Sequence, residues 1–396
     1  MKSNYKLGDL IRNVDIKNKD LHCNNLKGLS MTKEFRASTS NIVGTDLTKY
    51  KIVAYKQFAC DFMSAIRVHK MPIAFNTETK EILVSPAYAV FEVVDENIIL
   101  PEYLMMWFRR SEFDRYADFR SDAAIRGGYG WNELCETEIK LPSLDEQKKI
   151  VFEYQTVVNR ITLKKQINDN LVETANTLFC KFFIANEEKK NWEEGSFSQM
   201  LIDTVGGDWG QETPSGNYIC EVSCIRGTDI PALNLGSISD APTRYILEKN
   251  FNAKKICSNN MVVEISGGSP IQATGRIALV PEQILSYRGS NIICSNFCRV
   301  LKVNKDYLYF FLQNWLYLYR NGVMFNYENS STGLKNFNFN AFTEEHTILI
   351  PPKDLSIKFN TLIEPIYKEI FNVGFEIEHL QSTLEHILPR IMSVGI

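Results

Sequence analysis

The fold is decided by a long amphipathic stretch, residues 141–178, which read LPSLDEQKKIVFEYQTVVNRITLKKQINDNLVETANTL. Ser143 and Glu146 have the spacing of a capping box directly after a proline, which predicts the start of a helix. Alternating steps of four and three residues, starting from Ile150, then fall on apolar side chains. Two consecutive steps of this series are exceptions, Lys164 and Asn168. The stretch therefore predicts a coiled-coil helix with one polar interruption.

A second helix of the same pattern is predicted near the C-terminus. The same steps from Phe359 to Ile387 fall on apolar side chains throughout, and a short extended stretch ending in proline precedes both helices. We interpret this as an internal duplication whose two helices pair antiparallel. The residues predicted to pair are Ile150, Val157, Ile161, Leu171, Leu178, Ile363, Ile370, Ile377 and Leu384. An interior proline, Pro365, predicts a kink or a helix restart near Glu364.

The segments before the two helices also resemble each other, since residues 82–85 and 292–295 have matching apolar patterns. The predicted fold class is α+β, with two mixed α/β domains joined by two long helices that form an antiparallel coiled coil, in a pseudo-two-fold internal repeat. The predicted boundaries are 1–140 and 187–345 for the domains, and 141–186 and 346–396 for the helices.

Composition excludes several classes of protein. The chain has 396 residues, 44% of them hydrophobic, and a net charge of -3 from 44 basic and 47 acidic residues, so it is not a polyanion binder as a whole. No apolar run is long enough to predict a membrane span. The nine cysteines are scattered without C-x-x-C spacing, which favours buried thiols and a cytoplasmic location over disulfides or a metal site.

Catalytic motifs are missing from the sequence. There is no P-loop, no G-x-G-x-x-G fingerprint and no H-E-x-x-H, and the five histidines are dispersed. We therefore predict no catalytic residue, no metal ligand and no cofactor in this chain.

Three loops combine glycine, small polar residues and a cation, as contact with phosphates and base edges requires. They are residues 121–131, 267–276 and 329–338, and residues 65–70 are a possible counterpart of the second loop in the first half. Ordinary turns are the alternative interpretation of each loop. The candidate DNA-binding residues are Arg67, Lys70, Arg126, Tyr129, Gln272, Arg276, Ser331, Lys335 and Asn338.

The sequence resembles the DNA specificity subunit of type I restriction-modification systems. The resemblance rests on residues 141–147 with the helix that follows, their degenerate copy from Ile350, residues 330–352, the N-terminal segment 5–10 and residues 292–300, and it extends over essentially the full chain. The second helix departs from the family pattern, since residues 352–356 replace Leu-x-Glu-Gln.

The resemblance implies that each domain is a target-recognition domain that reads one half of a bipartite DNA sequence. It also implies two partner methyltransferase subunits, which would hold S-adenosylmethionine, and nuclease/translocase subunits for restriction. The expected function is therefore non-catalytic and sequence-specific binding of double-stranded DNA. Two alternatives remain open: a helical protein-interaction scaffold without a role at DNA, and a diverged stand-alone restriction or methylation enzyme.

Overall fold

A computed structural model describes residues 3–38, 44–63, 69–123, 129–269, 271–331 and 334–393. The chain divides into two units, of which the first contains residues 1–159 and 382–396 and the second contains residues 160–381. Both long helices therefore contribute residues to both units.

The first unit contains small antiparallel sheets and several helices. Its strands are β1 (Ser3–Lys6), β2 (Ile11–Val14), β3 (Lys27–Leu29), β4 (Phe35–Ala37), β5 (Lys51–Val53), β6 (Phe58–Cys60), β7 (Ile73–Phe75), β8 (Ile82–Val84), β9 (Ala89–Val93) and β10 (Glu138–Leu141). Its helices are α1 (Leu7–Leu10), α2 (Pro101–Phe108), α3 (Ser111–Ala123), α4 (Trp131–Glu136) and the first part of α5 (Leu144–Phe179). Stacked rings of Phe58 and Phe91, with centroids 4.9 Å apart, lie at the centre of its core.

The second unit is also built from small sheets, in one of which β13 and β18 pair parallel. Its strands are β11 (Glu193–Gly195), β12 (Leu201–Gly206), β13 (Tyr218–Ile225), β14 (Thr243–Leu247), β15 (Asn260–Glu264), β16 (Ser266–Gly267), β17 (Ile277–Val280), β18 (Ile292–Cys294), β19 (Cys298–Val303), β20 (Glu328–Ser331), β21 (Leu334–Phe337) and β22 (Ile348–Ile350). Its helices are α6 (Ile230–Leu233), α7 (Glu248–Lys254), α8 (Glu282–Arg288), α9 (Leu308–Arg320), α10 (Phe339–Glu345) and most of α11 (Lys353–Ser393).

Sheet topology confirms the internal repeat. The main sheet of the first unit has the order β2-β9-β6-β7, and that of the second unit has the order β12-β19-β15-β17. In both sheets, the strand that comes first in the chain lies beside the strand that comes last. On its other side, that last strand pairs with the second strand in chain order. In both units a separate N-terminal strand also pairs with the strand that leads into a long helix, β1 with β10 and β11 with β22. The weak sequence match between the halves therefore reflects one repeated topology.

Helix α5 begins where the capping box predicts. The Ser143 hydroxyl accepts a hydrogen bond from the backbone N–H of Glu146. The buried Gln147 side chain donates to the carbonyls of Ile98 and Pro142 and accepts from the backbone N–H of Leu100. This glutamine therefore joins the start of the helix to the segment before α2.

Within the second unit, α5 and α11 pack against each other in antiparallel directions. The Lys164 ammonium lies 2.7 Å from the Glu376 carboxylate, whereas Phe179, later in α5, contacts the ring of Phe359, earlier in α11, with the ring centroids 6.3 Å apart. Residue numbers therefore rise along one helix as they fall along the other. The structure confirms an α+β chain with two long antiparallel helices.

The residues predicted to pair lie on the inner faces of these helices. In the second unit, Ile161, Ile363 and Ile370 are buried, and Leu171, Leu178 and Ile377 are partly buried. In the first unit, Ile150 shares a hydrophobic cluster with Leu388, while Val157 and Leu384 are partly buried.

The expected helix restart near Glu364 is wrong, because α11 is one continuous helix through Pro365. An interior proline costs about 3 kcal/mol. Burial of an apolar side chain contributes about 1.5–3 kcal/mol, so several on one face outweigh that cost. The buried side chains on either side of the proline are Phe359, Ile363, Tyr367 and Ile370.

The polar interruption in α5 marks the place where a loop of the second unit meets both helices. The buried Asn168 amide donates to the carbonyl of Leu235 at 2.9 Å, just after α6. On the α11 side, a Cβ added to Gly374 would lie only 2.7 Å from the Cα of Gly236. The asparagine and the glycine, which both weaken an ideal coiled coil, therefore let the loop approach the helices closely.

Candidate nucleic-acid interface

Two of the predicted loops, which are far apart in sequence, form one small sheet in the second unit. Strand β21 pairs on one side with β20 and on the other with β16, where Ser266 lies opposite Asn336. The Ser266 hydroxyl donates to the Asn336 side-chain oxygen at 2.6 Å. We call residues 266–269 and 271–276, which begin with β16, the reading loop; residue 270 lies outside the described residues.

A buried carboxylate holds the far end of the reading loop. Arg276 donates to both oxygens of Glu264, with Nε and Nη2 at 2.8 and 2.6 Å. The Glu264 side chain is 2% exposed and that of Arg276 is 12% exposed. The hydrogen bond to Glu264 raises the pKa of Arg276. A Cβ on Gly227 or Gly267 would lie 2.5 Å from Glu264 Oε1, so both glycines are needed to admit this carboxylate.

A second carboxylate, that of Glu328 in β20, ties the reading loop to the β20–β21 hairpin. One Glu328 oxygen accepts from the backbone N–H and hydroxyl of Thr274 at 2.6 and 3.0 Å. The other accepts from the Lys335 ammonium at 2.7 Å. Burial alone would raise the pKa of Glu328, but these hydrogen bonds from Lys335 and Thr274 lower it below its usual value.

A cavity of about 670 Å³ opens beside the reading loop. It is lined by Gln272 of the loop and by Trp209, Arg226, Asn296 and Phe297. Arg226 in turn is fixed by two hydrogen bonds to the buried Asp229, and this pairing raises its pKa. Three cations at this surface, Arg226, Arg276 and Lys335, are thus each paired with a carboxylate.

Some of these cavity residues were missed by sequence reasoning. Asn296 and Phe297 lie within residues 292–300, which carry part of the family resemblance, yet they gave no separate functional signal. Trp209 lies in the glycine-rich segment 205–210, whose glycines alone indicate ordinary turns. Phe297 is half-exposed directly before β19, but that exposure is visible only in the structure.

The predicted DNA-binding residues of the second unit take different places around this surface. Gln272 is exposed, whereas Arg276 and Lys335 are held in ion pairs. Asn338 is exposed and caps α10, accepting a hydrogen bond from the backbone N–H of Ala341. Ser331 ends β20, and only its backbone is described.

In the first unit, Tyr129 corrects a prediction. Its side chain is 2% exposed and its hydroxyl hydrogen-bonds the Thr137 hydroxyl, so the ring is part of the core and does not face DNA. Lys70 is exposed. Arg67 and Arg126 lie outside the described residues.

The segment that carries Lys70 is also held by a carboxylate. Asp114 accepts from the backbone N–H of Met71 at 3.0 Å and from the buried Lys33 ammonium at 2.7 Å. The same ammonium donates to the Met71 carbonyl. Burial lowers the pKa of Lys33, and the negative charge of Asp114 opposes that shift. In both units, therefore, acidic side chains hold the ends of loops in place.

In the part of the chain that the structure describes, no cluster of three or more His, Cys, Asp or Glu side chains could hold a metal ion, and no helix is long and apolar enough to cross a membrane. Cys224 and Cys294 are buried core thiols, and burial raises the pKa of Cys224 to about 12. Such thiols are protonated and unreactive at neutral pH.

Fold and surface together define a class of protein: a chain with two domains of repeated topology, two long antiparallel helices and loops presented on a small sheet. No family model matches the chain. A curated relative, the specificity subunit of the type I restriction enzyme MjaIX from Methanocaldococcus jannaschii, is 23% identical over 316 residues, which are 76% of this chain and 70% of the relative.

A solved structure has the same architecture. The S subunit of the type I restriction-modification system of M. genitalium aligns with 99% of this chain and 96% of its own, with a TM-score of 0.55 and 11% identity. The fold is therefore that of a type I S subunit. The resemblance predicted from the sequence motifs is confirmed.

Proposed function

We propose that this chain is the DNA specificity subunit of a type I restriction-modification complex. The observation that carries the proposal is the small sheet of the second unit, because it brings two loops with DNA-contacting composition to one surface beside an open cavity. Loops that are held on a rigid scaffold are a common way to present groups to a binding partner. The similarity to specificity subunits over most of the chain supports the same function.

In this proposal each unit reads one half of a bipartite target, and the long helices set the distance between the two halves. Helix α5 has 36 residues, which at about 1.5 Å per residue gives a length of roughly 54 Å. That length corresponds to about 16 base pairs at about 3.4 Å each. Shortening α5 by seven residues should therefore change the preferred spacing while leaving the two half-sites recognisable.

The chemistry would be performed by partners. Two methyltransferase subunits would bind the specificity subunit and supply S-adenosylmethionine, and nuclease/translocase subunits would be added for restriction. Exposed apolar side chains on the long helices, such as Leu163 and Ile167 on α5, support docking of partner subunits there. The chain itself would act by targeting, since its sequence has no donor-binding or nucleotide-hydrolysis motif.

The test is to map methylated adenines in a host that expresses the methyltransferase subunits with and without this chain. We expect methylation of a bipartite sequence only when the chain is present. A chain shortened by seven residues in α5 serves as the matched variant and should shift the spacing of the methylated sites. An unchanged methylation pattern after removal of the chain would refute the proposal.

A further inference from the structure

The reading loop presents a large apolar side chain at its tip. Ile271 is 93% exposed, more than any other large hydrophobic residue that the structure describes. Its neighbour Gln272 is also exposed and lines the cavity. An exposed isoleucine in isolation needs no explanation, so its meaning depends on how the loop holds it.

The loop holds the tip in a defined place. Ser269 and Gln272 exchange backbone hydrogen bonds at 2.9 and 3.2 Å across the turn that carries Ile271. Gly268 and Gly275, with φ of +72° and +89°, adopt the left-handed conformations at either side of this turn. Below the turn, the loop is fixed by the hydrogen bonds of Thr274 and Arg276 to buried carboxylates. Ile271 is therefore carried between described residues that hydrogen bonds hold in place.

The charge around the loop argues against a phosphate-binding tip. Carboxylates neutralise the cations around the cavity: Arg276 of the loop itself, Lys335 of β21 and Arg226 across the cavity. Phosphate contacts require cations or hydrogen-bond donors, which the Ile271 side chain does not supply. In the major groove of DNA, the apolar feature that distinguishes one base from the others is the C5-methyl group of thymine.

We propose that Ile271 is a specificity-determining residue that contacts the C5-methyl group of a thymine in the half-site read by the second unit. The proposal rests on the function proposed above and names one chemical group that the function would recognise.

The chain, in complex with its methyltransferase subunits, is first used to enrich a DNA duplex from a randomised pool. That enriched duplex is the probe. Each thymine of that duplex is replaced in turn by deoxyuridine, which removes only the methyl group. For the wild-type chain, one replacement should weaken binding about 4-fold, as expected for loss of one buried methyl-sized group. In the Ile271→Ala variant the same replacement should have no effect, because the contact is already lost.

The matched control is Ile202→Ala, since Ile202 is 70% exposed on β12, outside the loop, and this variant should keep the wild-type response to deoxyuridine. Thermal unfolding should be unchanged in both variants. An enriched site without thymine, or a deoxyuridine effect that persists in Ile271→Ala, would overturn this inference but leave the proposed function standing. Failure to enrich any sequence would instead refute the proposed function, and with it this inference.

Discussion

Removing the negative charge of Glu264 tests whether a buried ion pair holds the reading loop. In the Glu264→Gln variant, the two hydrogen bonds from Arg276 to the carboxylate, at 2.8 and 2.6 Å, are lost, and only one neutral amide oxygen remains to accept from the guanidinium. Arg276 is then left largely buried without a counter-charge. Breaking a buried ion pair from one side costs about 3–5 kcal/mol, and the remaining exposure of Arg276 favours the lower end, about 3 kcal/mol.

The assay is thermal unfolding of the full chain, followed by binding to the enriched duplex. For a unit of this size, about 3 kcal/mol lowers the melting temperature by roughly 6–12 °C. The control is Asp203→Asn, because the ion pair of Asp203 with Lys302 is about half exposed and its loss should change stability by less than about 1 kcal/mol. In the double variant Glu264→Gln/Arg276→Gln, the free energy of unfolding should fall by less than the sum of its decreases in the two single variants.

A Glu264→Gln variant that unfolds within about 0.5 kcal/mol of the wild type would refute this reasoning, since that is the size of an ordinary surface change. Strict additivity in the double variant would also contradict it. A stable variant with weakened DNA binding would likewise mean that the carboxylate acts on DNA recognition without supporting the fold.

Three further predictions concern the helices and the hairpin. Gly374→Ala should destabilise the second unit by about 1–3 kcal/mol, because the clash with Gly236 outweighs the gain of about 1 kcal/mol in helix propensity, whereas Gly206→Ala, which meets no atom within 4 Å, should be nearly neutral in denaturant unfolding. Phe359→Ala should cost about 3–5 kcal/mol in the same assay, since its buried ring packs between the two helices. The pKa of Glu328 is lower in the folded chain than its usual value of 4.5, so the ionised carboxylate stabilises the fold above pH 4.5 and this contribution is lost as pH falls through the folded pKa. The free energy of unfolding, measured against pH, should therefore fall at acid pH in the wild type and fall less in Glu328→Gln.

The large-scale architecture could be predicted from the sequence because local and repeated residue patterns determine it. The four-and-three spacing after Ser143 and again from Phe359 marks the long helices, and recurrence of the pattern marks the duplication. The Pro365 prediction failed for the opposite reason. Local propensity disfavours the helix there, and the burial that overrides it depends on partners distant in sequence.

The candidate interface could be predicted only in part. Glycines and small polar residues near Gln272 correctly indicated a loop, whereas most of the predicted loop 329–338 forms strands β20 and β21, and the two segments meet in one sheet. Nothing in the sequence around Arg276 showed that Glu264 would neutralise it, because that pairing depends on the register of β15 and β17. Tyr129 was misplaced for the same reason, since a tyrosine in a glycine-rich segment gives no sign that its ring enters a core.

The neutralised cations change how the second unit can recognise DNA. A loop with free arginine and lysine side chains gains most of its affinity from phosphates, and that affinity does not depend on sequence. Pairing of Arg276 and Lys335 with buried carboxylates removes much of this non-specific attraction while it fixes the positions of Ile271 and Gln272. In the proposed function, binding by such a surface depends more on whether its apolar side chain meets a matching base edge, which suits the surface to discriminate between sequences.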